Sequence, residues 1–248
     1  MKLPPWPYPK TIAHRGAGKL APENTLAAIR LGVSFGYRAC EFDVKLSQDN
    51  VLLLMHDTDL DRTSNGKGAV AAHPWTLLSQ LDAGAWHSPA YAGEAIPTFE
   101  NIVRYCNAND IAMNVEIKPS PGLERETGAA VALASAAWCS NSNTPPVLSS
   151  FSTGALLAAK EAAPQLPRAH LFQDPLPDDW LEKCKLVGAV ALDANWKSLS
   201  QAIVKQAHEN GLRVACYTCN EMADAERLWA WGVDSVITDA VDRIAFRA

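Results

Sequence analysis

The chain has 248 residues, 48% of them hydrophobic, with 22 basic and 27 acidic side chains and a formal net charge of −5. That much apolar material supports a large core and excludes a disordered chain. The acidic balance makes nucleic acid a poor partner, because phosphate backbones require clustered Lys and Arg.

Four prolines interrupt the first nine residues, Met1 to Pro9, and no apolar run follows them. This reads against a secretory leader. No apolar run reaches the roughly 18 residues of a membrane span. A cytoplasmic protein without stable membrane association is expected. From Thr11 on, short apolar segments alternate with longer amphipathic ones, the rhythm of parallel βαβ units. Thr11–His14 is a first strand. Asn24 or Thr25 caps a helix running to about Gly36. Ala39–Val44 is a second strand, and Val51–Met55 a further short one after the Ser47-Gln48-Asp49-Asn50 turn. Residues 57–97 break the rhythm with Asn65-Gly66, His87-Ser88-Pro89 and Ala92-Gly93. They are expected to form an inserted subdomain, being too long for an ordinary loop.

The rhythm resumes with a helix capped by Thr98 and ending near Asn109. Strands follow at Ala112–Ile117, Val147–Ser149, Arg168–Phe172, Gly188–Leu192, Arg213–Tyr217 and Asp234–Thr238. Between them lie helices at Leu123–Ala137, Thr153–Ala163, around Asp179–Lys185, Leu199–Asn210 and Met222–Trp231. With the Val51 strand assigned to the insertion, eight strands remain. The expected fold is a TIM (β/α)8 barrel over residues 1–248, with the insertion after the second strand and the chemistry at the strands' C-terminal ends. An open doubly wound sheet is the competing architecture, but no Gly-x-Gly-x-x-Gly follows the first strand.

Strand side chains alternate faces. Glu41 and Asp43 therefore share one face, and Asn114, Glu116 and Lys118 another. The intervening Phe42, Val115 and Ile117 must pack under helices, so the polar sets point into the barrel. Several carboxylates on one axis repel each other and lose hydration. One divalent cation resolves this, and carboxylate oxygens suit Mg²⁺ or Ca²⁺, with Mn²⁺ also accommodated. The bland alternative is a structural layer of acids paired with inward Lys and Arg. Three carboxylates and a divalent ion leave −1; Arg15 and Lys118 add +2, which suits an anionic phosphodiester. His14 and His56 both stand at strand ends and suit general acid and base. His73, His87, His170 and His208 have no such context. Cys216-x-x-Cys219 lacks the further ligands zinc needs and reads as structural.

His14-Arg15-Gly16 followed by Pro22-Glu23-Asn24-Thr25, then Glu41-x-Asp43, His56-Asp57, Leu60-Asp61-Arg62-Thr63-Ser64-Asn65-Gly66 and Glu116-Ile117-Lys118, resembles the glycerophosphodiester phosphodiesterases. Ser150-Phe151, Tyr217-Thr218-Cys219-Asn220 and Thr238-Asp239 are similar to later signatures of that family. The resemblance spans nearly the whole chain, in order, and is closer to the short cytoplasmic bacterial enzyme than to the secreted one. It implies metal-dependent hydrolysis of glycerophosphodiesters, such as glycerophosphocholine or glycerophosphoethanolamine, to sn-glycerol 3-phosphate and an alcohol. It implies metal ligands at Glu41, Asp43 and Glu116, acid–base roles for His14 and His56, and phosphate contacts from Arg15 and Lys118. Phe151, Tyr217 and the insertion's Trp86 are pocket candidates. His14 as base and His56 as acid is the assignment carried forward. Attack by water or by the glycerol 2-hydroxyl is left open, as are the preferred alcohol, the physiological metal and a homo-oligomeric state. Ser64, Tyr217 and Ala240-Val241 depart from the usual pattern, where Thr, Trp and a proline are common; this bears on pocket shape. Phospholipase-like or lyase-type cleavage, a sugar-phosphate isomerase and a non-catalytic binding barrel are the competing readings.

Overall fold

The computed structural model describes residues 3–248; Met1 and Lys2 of the proline-rich opening lie outside the described residues. In chain order the strands are β1 Thr11–Ala13, β2 Ala39–Leu46, β3 Leu52–Leu54, β4 Ala112–Ile117, β5 Val147–Ser150, β6 Arg168–Phe172, β7 Ala191–Asn195, β8 Arg213–Tyr217 and β9 Ser235–Thr238. All but β3 pair in parallel around a ring, β1-β9-β8-β7-β6-β5-β4-β2. The ring closes where Ala13 meets Cys40 and Thr11 meets Val236. This is a TIM (β/α)8 barrel. β3 runs antiparallel to β2 (Val44 opposite Leu54) and stays outside the barrel.

The helices are α1 Leu26–Ser34, α2 Trp75–Leu78, α3 Phe99–Ala108, α4 Glu124–Trp138, α5 Thr153–Ala162, α6 Trp180–Val187, α7 Gln201–Glu209 and α8 Met222–Trp231. Hydroxyl caps start several of them: Thr25, Thr98, Ser152 and Ser200 each accept from a first-turn backbone N–H, which would otherwise lack a partner. The outward strand residues Phe42, Val44, Val115 and Ile117 pack under these helices in one core cluster. Cys216 and Cys219 lie in a second such cluster, and all six cysteines are free and buried.

Inside the barrel the lowest layer is made of small residues, Ala39, Ala112, Val147, Ala169 and Ala191, together with Ile237. Alanines leave a gap at close-packed density. Trp6 and Tyr8 fill it, ring centroids 4.6 Å apart and edge to face. Trp6 Nε1 donates to Ser235 Oγ (2.9 Å) and the Tyr8 hydroxyl to the Pro145 carbonyl (2.8 Å), so neither polar tip is stranded. Residues 57–97 carry α2 and two 3-10 turns at Val70–Ala72 and Pro89–Tyr91. Their apolar side chains Leu60, Val70, Leu78, Ala83 and Ile96 gather with Leu53 and Met55 in a small cluster of their own.

Two expectations require correction. The strand expected at Gly188–Leu192 runs from Ala191 to Asn195. Gly188 instead takes the left-handed conformation (φ 62°) that ends α6, a position glycine occupies without a Cβ penalty. The helix expected from Leu199 begins at Gln201, because Trp196–Ser198 forms a 3-10 turn and Ser200 supplies the cap.

Candidate active site

Glu41 and Asp43 project inward from β2 and Glu116 from β4, and Asp43 is in register with Glu116. One oxygen from each lies within 4.8 Å of the others, and all three side chains are buried. Glu41 Oε1 and Asp43 Oδ1 have no hydrogen-bond partner. Such orphaned carboxylate oxygens are costly in a protein interior unless something else meets them. Burial, reinforced by Asp43 and Glu116, pushes the Glu41 pKa well above its ordinary range, and burial pushes Glu116 up to about 7. For Asp43 burial acts in the same direction, but Arg15 and Lys118 outweigh it and hold the carboxyl below its usual range. Three acids, two of them with unmet oxygens and mutually repelled, fit a hard divalent cation in number and chemistry.

The surrounding loops hold these acids in place. Asn24 grips Asp43 at two points: its amide donates to Asp43 Oδ2 (2.8 Å) and its oxygen accepts from the Asp43 backbone N–H (3.0 Å). The Arg15 backbone N–H donates to Glu41 Oε2 (3.0 Å). Both Arg15 (φ 50°) and Asn24 (φ 60°) adopt the left-handed region to make these bonds, a strain found where function over-determines the backbone. Lys118 Nζ meets Glu116 Oε1 at 2.6 Å and Asp43 Oδ1 at 3.6 Å; Arg15 Nε lies 3.4 Å from Asp43 Oδ2.

Each histidine has a carboxylate on Nδ1. His14 pairs with Asp239 at 2.6 Å and His56 with Asp57 at 2.7 Å. With Nδ1–H donated to the acid, Nε2 is the nitrogen left to take up or give a proton. His14 Nε2 lies 3.8 Å from Glu41 Oε2. Gly18 (φ +58°) makes the first pair possible, since a Cβ there would sit 2.2 Å from the Asp239 backbone. The second pair is extended: Asp57 accepts from Arg62, Arg62 donates to Glu23, and Glu23 accepts from Arg15 (2.7 Å). One ion-pair chain thus joins the His56 partner to the Arg15 guanidinium beside Asp43. Burial lowers the His56 pKa below its ordinary value.

A cavity of about 90 Å³ collects His14, Arg15, Glu41, His56, Glu116, Lys118, Phe151 and Tyr217. Asp43 lies behind them. The rings of Phe151 and Tyr217 meet edge to face at 5.8 Å, and Lys118 Nζ stands 5.1 Å from the Phe151 ring centre. Trp86, His73 and His87 are not among the lining residues. His73 Nε2 bonds the Lys67 carbonyl and His87 Nε2 the Lys19 carbonyl. The sequence offered Asn24 only as an alternative to Thr25 for the cap of α1, a place Thr25 takes, and pointed to no site role for Asp57, Asp239, Glu23 or Arg62. His56-Asp57 is adjacent and could have signalled its pairing; the others come together only in three dimensions. Asp193 was also missed, because the misplaced strand ended before it. It is fully buried, lines the same cavity, and burial, with Glu116 adding to it, pushes its carboxyl up to about 8.

Fold and mouth together define a barrel enzyme whose chemistry sits on the strand ends. Residues 14–243 match the glycerophosphoryl diester phosphodiesterase family. The chain is 33% identical over 232 residues to a glycerophosphodiester phosphodiesterase of Caldanaerobacter subterraneus, covering 92% of this chain and 93% of that one. It is 31% identical over 246 residues to a glycerophosphodiester phosphodiesterase of Bacillus subtilis, covering 94% and 84%. The fold is also similar, at TM-score 0.87 and 33% identity over 94% of both chains, to a phosphodiesterase of Oleispira antarctica solved with its product sn-glycerol-3-phosphate. The chain belongs to the glycerophosphoryl diester phosphodiesterase family. None of its helices is long and apolar enough to cross a membrane, among the described residues.

Proposed function

We propose that the protein hydrolyses glycerophosphodiesters, such as glycerophosphocholine or glycerophosphoethanolamine, to sn-glycerol 3-phosphate and an alcohol, with one divalent cation. The observation that carries this reading is the buried Glu41–Asp43–Glu116 cluster, with two unmet oxygens, facing two histidines across one cavity. The product bound by the Oleispira relative supports the glycerol phosphate half of the substrate. Glu41, Asp43 and Glu116 would hold the cation, Mg²⁺ or Ca²⁺. When bound, it supplies Lewis-acid stabilisation of charge on the phosphoryl oxygens and lowers the pKa of a coordinated oxygen.

Arg15 and Lys118 present fixed positive charge to the phosphate and require no reorganisation as charge develops. Their own charges are secured by Glu23 on one side and by Glu116 and Asp43 on the other. His14 and His56 form the acid–base pair: the one whose ring is neutral, with Nδ1–H on its carboxylate, accepts the proton of the attacking water or hydroxyl at Nε2. The other enters the reaction as the imidazolium, with Nδ1–H on its carboxylate and a second proton on Nε2, and delivers the Nε2 proton to the leaving alkoxide. Phe151 and Tyr217 form the apolar wall against which the substrate carbons pack. The unit that performs this is one barrel spanning the chain, and the 57–97 segment contributes to it by supplying Asp57 and Arg62. Six free, buried cysteines support a reducing, cytoplasmic setting.

The test is release of glycerol 3-phosphate from glycerophosphocholine by metal-stripped protein, before and after addition of Mg²⁺ or Ca²⁺. Release restored by metal is the expected result. No release from folded protein with either ion would remove this reading.

A further inference from the structure

Asp193 is the least explained charged residue of the barrel interior. It projects inward from β7, two residues beyond Ala191 of the floor layer, as Glu41 stands two beyond Ala39 and Asn114 two beyond Ala112. It is fully buried, and neither carboxylate oxygen has a hydrogen-bond partner. Asn114 lies near enough to favour the ionised form but completes no hydrogen bond; its own oxygen accepts from Ser149. Arg15 and Lys118 are engaged by Glu23, Asp43 and Glu116. An unpartnered buried carboxyl destabilises the fold, and a native interior that retains one needs a reason. Asp193 is among the residues that line the cavity, so a small turn of its side chain brings the carboxyl against a group bound there.

Two spaces adjoin the phosphoryl site. One is the cavity of about 90 Å³ that ends on Asp193, Leu171 and Ile237. The other is a groove of about 420 Å³ beside it, which shares His56, Glu116, Lys118 and Phe151 and is also lined by Lys45, Thr58 and Ser152. A glycerophosphodiester has two arms on phosphorus, a constant glycerol and a variable alcohol. The broad groove suits the arm that varies. The narrow cavity suits the arm that does not: of the polar side chains in its deep layer, Asn114 and Ser149 bond each other, while the Asp193 carboxyl has no partner. We propose that Asp193 is a specificity residue that binds a hydroxyl of the substrate's glycerol at the floor of the barrel. This rests on the glycerophosphodiester reading above.

Binding separates the hydroxyls from the phosphate. sn-Glycerol 3-phosphate and propyl phosphate carry the same phosphate on three carbons, but only the first has hydroxyls. Calorimetry on the Mg²⁺-loaded protein is expected to show wild type preferring glycerol 3-phosphate on the order of 10²-fold. Asp193→Leu is expected to erase that preference by weakening glycerol 3-phosphate alone, and to melt no lower than wild type, because it removes a buried acid that has no partner. A residue needed only for the fold would behave oppositely, lowering the melting temperature and weakening both ligands. Asp193→Asn keeps the shape and one acceptor and is expected to retain part of the preference; it carries the test if the leucine variant fails to fold. An undiminished preference in the folded variant, or no preference in wild type, overturns the assignment. So does a loss confined to turnover of glycerophosphoethanolamine with glycerol 3-phosphate binding intact, which would place the alcohol arm at Asp193. Wild type that prefers glycerol 3-phosphate yet hydrolyses no glycerophosphodiester would remove the proposed reaction and leave Asp193 assigned.

Discussion

The floor of the barrel and its mouth are built by the same strands, two to four residues apart, and they are opposite in kind. At the floor, Ala39, Ala112, Val147, Ala169 and Ala191 are sealed from below by Trp6 and Tyr8, whose polar tips are both bonded. At the mouth, Glu41, Asp43 and Glu116 crowd together with oxygens left unmet. Alternation decides which side chains point inward, but not what they are. The barrel packs for stability at one end and concentrates repelling charge at the other, where a cation and a substrate can relieve it.

The sharpest way to break this division is at the acids. Glu41→Ala, Asp43→Ala and Glu116→Ala are each expected to lower kcat/KM by roughly 10³-fold, the several kcal/mol that Lewis-acid catalysis supplies, and to weaken Mg²⁺ or Ca²⁺ titration. A folded variant that titrates metal like wild type would remove that acid from the ligand set. In metal-free protein, Glu41→Gln is expected to raise the melting temperature, because burial first, and then Asp43 and Glu116, disfavour the carboxylate it replaces. His14→Ala and His56→Ala follow, at roughly 10²-fold in kcat. Asp239→Asn and Asp57→Asn, which disturb ring orientation and tautomer, are expected to cost roughly 10-fold. Near-wild-type turnover in either alanine variant would take that histidine out of the proton transfers.

The floor is expected to respond the other way. Trp6→Ala opens a cavity under half-buried rings and should cost about 2 kcal/mol of stability in denaturant titration, with kcat unchanged. A fall in kcat at full stability would show that floor and mouth are coupled. The smallest effect sharpens the boundary between them. Burial, with Glu116, raises Asp193 from 3.8 to about 8. Between those values the folded state keeps a proton that the unfolded chain has released, so stability declines as pH rises through the window. Asp193→Asn should flatten that decline in metal-free protein; an unchanged slope would assign it to another group.

Much of this was legible in the residues. Period-two alternation placed Glu41 and Asp43 on one face of their strand and Asn114 and Glu116 on one face of theirs, and the two strands turn out to be neighbours in register. The strand boundaries of β4, β6 and β8 also follow from their apolar runs. Asp193 was not legible, because Val190, Ala191 and Leu192 look the same whether the strand starts at Gly188 or three residues later. Only the left-handed Gly188 decides it. Nor was the Trp6–Tyr8 plug, since a proline-rich opening signals an extended chain and says nothing of where its rings go. Asn24 stood in a recognised motif, yet its two-point grip on Asp43 depends on a backbone conformation that no spacing reveals.

The His14–Asp239 pair joins groups 225 residues apart, across the junction of β1 and β9. On an emerging chain, His14, Arg15, Glu41, Asp43, His56, Glu116 and Lys118 have all been synthesised once Lys118 is in place. The His14 ring still has no carboxylate to orient it until Asp239 leaves the ribosome and β9 zips against β1. The orientation of the His14 ring therefore depends on the last strand of the chain. A partly synthesised barrel holds all seven of these side chains and lacks the carboxylate that meets the ring of the first histidine.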